Sequence, residues 1–135
     1  MAPSPEPAAH PDHSTGTTAA LTVLTTTDSP EGAQELARAA VAARLAACAQ
    51  ISAPVTSVYR WRGEIRTDEE WQILFKTTHE RYPELESLLL AEHPYATPEI
   101  IATDVVRGSA AYLDWIVAET RETRETPGDQ EPDTP

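Results

Sequence analysis

The chain has 135 residues, of which 40% are hydrophobic, and this length predicts one compact domain with a single core. Its formal net charge of -12 would repel phosphate backbones and anionic lipid, so we expect neither nucleic acid nor a membrane among its partners. No stretch reaches the roughly 20 apolar residues that cross a bilayer. The single Cys48 can form no internal disulfide, and we therefore expect a cytoplasmic protein.

Both ends are rich in proline, threonine and acidic side chains. Such segments bury too little apolar area to offset the entropy lost on ordering. We therefore predict disordered tails over residues 1–19 and 121–135, and one folded domain over residues 20–120. His10, Asp12 and His13 could contact a metal ion, but wrapping an ion would cost the leading tail chain entropy, so we expect only incidental binding there.

The folded part begins with a β-rich segment, Leu21 to Thr26, which is followed by a helix signal. Ser29 suits an N-cap and Pro30 suits the first helical position. Apolar residues then recur every three or four positions, which predicts a helix that continues to about Ala47.

A long hairpin is predicted next. The alternation of apolar and polar residues from Gln50 indicates a strand whose apolar side carries Ile51, Ala53, Val55, Tyr59 and Trp61. Arg62-Gly63-Glu64 is typical of a tight turn, because glycine tolerates positive φ. The alternation resumes from Ile65 to Phe75 and supplies the returning strand.

Three more elements complete the domain: a helix from Pro83 to Glu92, a strand from Ile100 to Val106, and a helix from Ser109 to Val117. The order βαββαβ with a C-terminal helix predicts an α+β, ferredoxin-like sandwich in which helices cover one face of a four-stranded antiparallel sheet. The other face would expose a large apolar patch, so we expect a homo-oligomer.

Five segments carry a likeness to a known family, and they read ARLAAC (43–48), VYRWRGEI (58–65), FKT (75–77), HPYATPEII (93–101) and GSAAYLDWI (108–116). Together they resemble the CutA divalent-cation tolerance proteins across the whole folded part. The resemblance implies a cytosolic homotrimer, with extended β-hairpins packed between subunits, that serves tolerance to copper and other divalent cations. Ala96 departs from the family pattern, which commonly has glutamate there, and Gln50 stands where asparagine is common.

The candidate metal ligands are Cys48, His93 and Glu99. A thiolate prefers soft ions such as Cu(I), but free cysteines are more often small buried apolar residues, and that is the alternative for Cys48. His93 and Glu99 belong to a loop stiffened by two prolines, where an imidazole and a carboxylate could bind Cu(II) or another divalent cation. The alternative is that this loop orders the subunit interface.

We expect the aromatic side chains of the hairpin and the following loop at the subunit interface, namely Tyr59, Trp61, Trp71 and Tyr95. The hairpin also carries basic and acidic side chains that suggest intersubunit ion pairs: Arg60, Arg62, Arg66, Glu64, Asp68, Glu69 and Glu70.

The sequence contains no glycine-rich phosphate loop, no Gly-x-Ser-x-Gly elbow and no His-Glu-x-x-His motif, so we predict a metal-binding protein that is not an enzyme. The alternative is a trimeric regulatory module, resembling PII signalling proteins, that binds a small molecule or protein in a cleft between subunits. A small phosphatase is a third hypothesis, but the basic residues are dispersed along the chain and suggest no anion site.

Overall fold

The computed structural model describes residues 17–122, so most of both predicted tails, residues 1–16 and 123–135, lies outside the described residues. Within the described part no helix is long and apolar enough to cross a membrane. Five strands and three helices follow one another as β1 (Ala20–Thr27), α1 (Pro30–Ala42), β2 (Cys48–Ile51), β3 (Val55–Trp61), β4 (Glu64–Thr78), α2 (Tyr82–Glu92), β5 (Ile101–Asp104) and α3 (Ala110–Thr120).

A single open antiparallel sheet organises these elements, in the order β2-β4-β1-β5. The 15-residue β4 is its longest strand: its second half pairs with β1 and β2, and its first half pairs with β3 alone. The predicted α+β architecture with an antiparallel sheet is therefore confirmed.

The main core lies between the sheet and the helices α1 and α2. Val23, Ile73 and Phe75 alternate with outward residues along β1 and β4, and all three are fully buried. The predicted start of α1 is confirmed, because the Ser29 hydroxyl accepts a hydrogen bond from the Gly32 N–H at 2.9 Å.

The predicted end of α1 at Ala47 is wrong, since the helix ends at Ala42. Arg44 takes a left-handed conformation with φ 61°, which turns the chain towards the sheet. The fully buried Thr77 of β4 then donates its hydroxyl proton to the Leu45 carbonyl at 2.6 Å. Tertiary contacts with the sheet thus take the place of further helix, although the alanines there favour helix.

The long strand predicted from Gln50 is two strands, β2 and β3. Ile51 lies opposite Ile73, and Val55 lies opposite Glu70. Residues 52–54 therefore face only residues 71–72 of β4, which is a β-bulge of one extra residue.

Side-chain chemistry accounts for the bulge. The Ser52 hydroxyl oxygen, rather than a backbone carbonyl, accepts a hydrogen bond from the Gln72 N–H at 2.9 Å. Pro54 has no N–H and so cannot donate a backbone hydrogen bond to the neighbouring strand. One extra residue reverses the alternation beyond it. The prediction of one continuous apolar side is therefore wrong: Ile51 faces the side of the sheet covered by α1 and α2, whereas the opposite side carries Val55, Tyr59 and Trp61.

The prediction that helices cover only one face is also wrong, because α3 packs on the second face. Tyr112 of α3 contacts Lys76 and Cys48, and Lys76 alternates along β4 with the core residue Phe75. Ile116 forms a small second core with Ala20 and other residues. Helix α3 therefore covers the second face of the sheet near Lys76. The rest of that face extends onto the β3–β4 hairpin.

The predicted last strand is shorter than expected, since β5 spans Ile101–Asp104. Beyond it, the Val105 carbonyl accepts hydrogen bonds from the Thr18 N–H at 3.1 Å and from the Thr18 hydroxyl at 2.7 Å. These bonds fix the start of the described chain beside the end of β5.

Candidate functional site

His93 lies at the C-terminal end of α2, and its ring is held against the end of β1. Its Nε2 is 2.9 Å from the Thr26 carbonyl oxygen and 3.2 Å from the Thr25 hydroxyl, while its Nδ1 accepts the Tyr95 N–H at 3.1 Å. A carbonyl can only accept and a backbone N–H can only donate. These contacts therefore assign a neutral imidazole with its proton on Nε2.

Burial lowers the pKa of His93, and the hydrogen bond to Thr26 and the carboxylates Asp28 and Glu70 oppose that shift. The neutral form matches the bonding, because a proton on Nδ1 would face the Tyr95 N–H donor. A metal ion at Nδ1 would have to displace the same N–H.

Two tyrosine hydroxyls form hydrogen bonds with carboxylates of β4 in the hairpin. The Tyr95 hydroxyl donates to Glu70 at 2.8 Å, and the Tyr59 hydroxyl donates to Asp68. Burial, and then the bond to Glu70, raise the pKa of Tyr95, so this phenol stays protonated as a donor at neutral pH. The first pair ties the loop after α2 to the base of the hairpin.

A groove runs along this surface and has a volume of about 730 Å³. Its walls come from the end of β1, the hairpin and the loop after α2. The aromatic lining residues are Tyr59, Trp61 and Tyr95. Its charged lining comprises five carboxylates and one guanidinium, a net charge of -4: Asp28, Asp68, Glu69, Glu70, Glu99 and Arg66.

Cys48 lies at a different place in the fold. It is the first residue of β2, is half-buried, and has its Sγ 3.8 Å from the Tyr112 hydroxyl. The Lys76 ammonium lies 5.5 Å from the centre of the Tyr112 ring. Burial, and then the contact with Cys48, raise the pKa of Tyr112, so the phenol can donate to the sulfur.

The three predicted metal ligands do not form one cluster. Lys76 of β4 pairs with Cys48 on one side and with Thr22 on the other, whereas His93 bonds Thr26, four residues further along β1. The displacement along the strand direction alone is therefore about 13 Å. Glu99 lines the groove, as does Tyr95. Within residues 17–122 no three His, Cys, Asp or Glu side chains are placed to hold one metal ion.

The four aromatic residues predicted for an interface occupy two faces. Tyr59, Trp61 and Tyr95 line the groove. Trp71 lies on the other face of β4 and packs against the main core of its own chain. The structure thus separates Trp71 from the other three.

Sequence reasoning picked out the tyrosines but did not foresee their carboxylate partners. Asp68 and Glu70 are two residues apart on β4, so the alternation of a strand already places them on one face. That spacing was the available signal for Tyr59 and Asp68, which share one hairpin. Nothing in the sequence showed that the loop after α2 would bring Tyr95 to Glu70, 25 residues away.

Comparisons with known proteins agree on one family. The CutA1 divalent ion tolerance protein family matches residues 21–119. The divalent-cation tolerance protein CutA of Thermus thermophilus is 46% identical over 94 residues, which cover 70% of this chain and 91% of that protein.

Solved structures give the same result. CutA from Synechococcus elongatus PCC7942 is 42% identical with a TM-score of 0.74, over 78% of this chain and 94% of that one. The protein from Archaeoglobus fulgidus described as the periplasmic divalent cation tolerance protein CutA is 32% identical with a TM-score of 0.73, over 76% and 99% of the two chains. This chain therefore belongs to the CutA1 divalent ion tolerance protein family.

Proposed function

We propose that the protein is a cytosolic homotrimer that contributes to divalent-cation tolerance by binding copper or another divalent cation, without catalysing a reaction. The observation that carries this proposal is the match of residues 21–119 to a family named for divalent ion tolerance. The matched relatives are named as tolerance proteins rather than as enzymes, which supports a role in binding.

Cys48 is the leading ligand in this proposal. Cys48 is half-buried rather than sealed in the core, and its Sγ lies 3.8 Å from the Tyr112 hydroxyl, a weak contact that a metal ion can replace. Thiolate sulfur is the side-chain ligand best suited to Cu(I).

His93 and Glu99 form the second candidate. Both ring nitrogens of His93 are already engaged, with Thr26 and with the Tyr95 N–H, so coordination there must break an existing contact. Ala96, next to Tyr95, supplies no carboxylate to help. We therefore rank this candidate below Cys48.

Titration calorimetry with copper tests the ranking on the purified assembly, with Cu(I) in an anaerobic buffer. We expect Cys48→Ser to weaken Cu(I) binding by about tenfold or more, and His93→Ala to weaken it less. Ser87→Ala, on the exposed side of α2, is the control and should bind as the wild type does. Equal affinity in all four proteins would remove both candidate sites, and no binding by the wild type would overturn the proposal itself.

We also propose that the chain has the ferredoxin-like fold and assembles as a trimer. The exposed apolar residues of the hairpin and of β5, among them Val58, Ile65 and Ile101, support self-association. The free thiol of Cys48 is consistent with a reducing cytosol. The relatives named above give the regulatory-module alternative no support. Sedimentation velocity at micromolar concentration tests the assembly, since a monomer would contradict it.

A further inference from the structure

Helix α3 lies on the second face of the sheet and is held there by few buried side chains. Among the described residues, the small core beneath it buries Ala20, Ala47 and Ile116, whereas eleven buried residues form the main core that α1 and α2 cover. Within α3 itself, Ile116 and Thr120 are the buried positions. Because little apolar area holds this helix, its local opening costs less free energy than unfolding of the whole domain.

The turn between α1 and β2, residues 43–47, is fixed to the main part of the domain by two hydrogen bonds. Thr77 of β4 donates its hydroxyl proton to the Leu45 carbonyl, and the Arg81 Nε donates to the Arg44 carbonyl at 3.3 Å. The Arg81 side chain is only 10% exposed, so this second bond is largely shielded from water. The turn is therefore a firm support for the start of β2 and for Cys48.

Arg44 connects this turn to the C-terminal end of α3. Its guanidinium donates to the Glu119 carbonyl at 3.0 Å and lies 3.7 Å from the Glu119 carboxylate. The last turn of α3 contains no basic residue, and the carbonyls at that end of a helix have no partner within the helix. Arg44 therefore supplies, from outside the helix, the cation that a helix C-terminus favours.

The same helix covers the thiol of Cys48. The Tyr112 hydroxyl lies 3.8 Å from the Cys48 Sγ. Ala47, the residue before Cys48, belongs to the same small core as Ile116, which follows Tyr112 by about one helical turn. Contacts at Arg44, Ala47 and Cys48 thus join one short segment of the chain to one helix.

We propose that α3 is a movable cover over Cys48, that the contact between Arg44 and Glu119 is its latch, and that opening of the cover sets how fast a reagent or a metal ion reaches the thiol. In the closed state Tyr112 lies against the sulfur and Cys48 is half-buried. In the open state α3 leaves the second face of the sheet, while the turn and β2 stay in place. The inference rests on the proposed role of Cys48 as a ligand and names the regulation of that site.

Arg44→Asn removes the latch and leaves the turn intact. Arg44 has a φ of 61°, and asparagine is one of the residues that best tolerate this left-handed region. The variant also keeps the carbonyl that accepts the hydrogen bond from Arg81. Arg107→Asn is the matched control, because Arg107 is exposed, lies outside α3 and makes no ion pair within residues 17–122.

Alkylation of the native assembly with iodoacetamide, followed by mass spectrometry, measures access to the thiol without any metal. Cys48 is the single cysteine of the chain, so the site of labelling is unambiguous. Its sulfur displaces iodide, a C–S bond replaces the C–I bond of the reagent, and the thiol proton passes to the buffer. We expect Arg44→Asn to react about fivefold faster than the wild type or more, and Arg107→Asn to react within about twofold of it. Equal rates in all three proteins would refute the cover.

Tyr112→Phe distinguishes opening of the helix from shielding of the sulfur by one hydroxyl. This variant loses the contact with Cys48 and keeps the ring, so α3 remains latched by Arg44. We expect its labelling rate to rise by less than about twofold, because the lost contact is long and weak. A large rise in Tyr112→Phe with none in Arg44→Asn would assign the protection to the hydroxyl and overturn the inference.

Amide hydrogen exchange follows the helix itself. Peptides from residues 110–120 should exchange faster in Arg44→Asn than in the wild type, by about the same factor as the alkylation rate, whereas peptides from α1 should not change. Faster alkylation without faster exchange in α3 would overturn the inference. The wild-type alkylation rate should also depend only weakly on urea below the unfolding transition, since a local opening exposes little surface; a rate that follows global unfolding would contradict the cover.

Titration calorimetry of the wild type with Cu(I) keeps this inference separate from the proposed function. If the wild type binds no Cu(I), the proposed function fails, and the alkylation and exchange rates still decide whether α3 covers the thiol. If Cu(I) binds and the latch variant is alkylated no faster than the wild type, the cover is wrong while the metal site stands.

Discussion

Substitutions of Thr77 distinguish the contribution of a hydrogen bond to stability from that of a packing contact. Thr77 lies in β4, which pairs with β2, the strand that begins at Cys48. Thr77 is fully buried, and its hydroxyl donates to the Leu45 carbonyl at 2.6 Å. Valine keeps the volume but leaves that carbonyl without its donor, which costs about 2 kcal/mol. Serine keeps the hydroxyl and loses one buried methyl, which costs about 1 kcal/mol.

Denaturant unfolding at one fixed protomer concentration measures both losses, because assembly makes apparent stability depend on concentration. Thr103→Val, on exposed β5, is the control and should change the free energy of unfolding by less than about 0.5 kcal/mol. Thr77→Val as stable as the wild type would refute the role of the hydrogen bond. A larger loss in Thr77→Ser than in Thr77→Val would show that the methyl matters more.

Two further predictions concern His93 and the tryptophans. Because burial lowers the pKa of His93, the native state resists a proton that the unfolded chain accepts below pH about 6.5, so stability should fall on acidification from there. His93→Gln should flatten that slope in melts at pH 7 to 5, and an unchanged slope contradicts the assignment. Trp71→Ala should lower the free energy of unfolding by about 2–3 kcal/mol, because Trp71 packs against the main core. Trp61→Ala, in the groove, should mainly weaken self-association as measured by sedimentation velocity. The reverse pattern would refute the assignment of the two tryptophans to opposite faces of the sheet.

Local signals predicted most of the elements. The N-cap at Ser29, the turn at Gly63 and the alternation around Phe75 each depend on residues a few positions apart, and the structure confirms them. Such features follow from backbone preferences and side-chain period, which the sequence displays directly.

The errors arose where distant residues decide the backbone. Thr77 fixes the turn after α1 through a contact 32 residues away, and it overrides the helix preference of the alanines before Cys48. The bulge needs Gln72 of another strand to engage the Ser52 hydroxyl. The face chosen by α3 depends on Tyr112 meeting Lys76 and Cys48 across the sheet.

In the candidate site, too, local residue chemistry was predictable and long-range contacts were not. Residue chemistry was enough to pick Cys48 and His93, since thiol and imidazole are the usual ligands of copper. Their surroundings were not predictable, because His93 meets Thr26 across 67 residues and Cys48 meets Tyr112 across 64. Whether a ring nitrogen is available to a ligand is decided by those distant partners.

Because of the bulge at residues 52–54, the orientation of side chains on the β3–β4 hairpin depends on whether its strands gain or lose an odd or an even number of residues. Adding or removing one residue between the bulge and the turn would interchange the inward and outward sets of side chains on that strand. If each strand gained or lost two residues, the side chains would keep their orientation and only the length of the hairpin would change. An odd change would present arginine where tyrosine now stands, so the hairpin keeps its orientation only when its strands change length in steps of two.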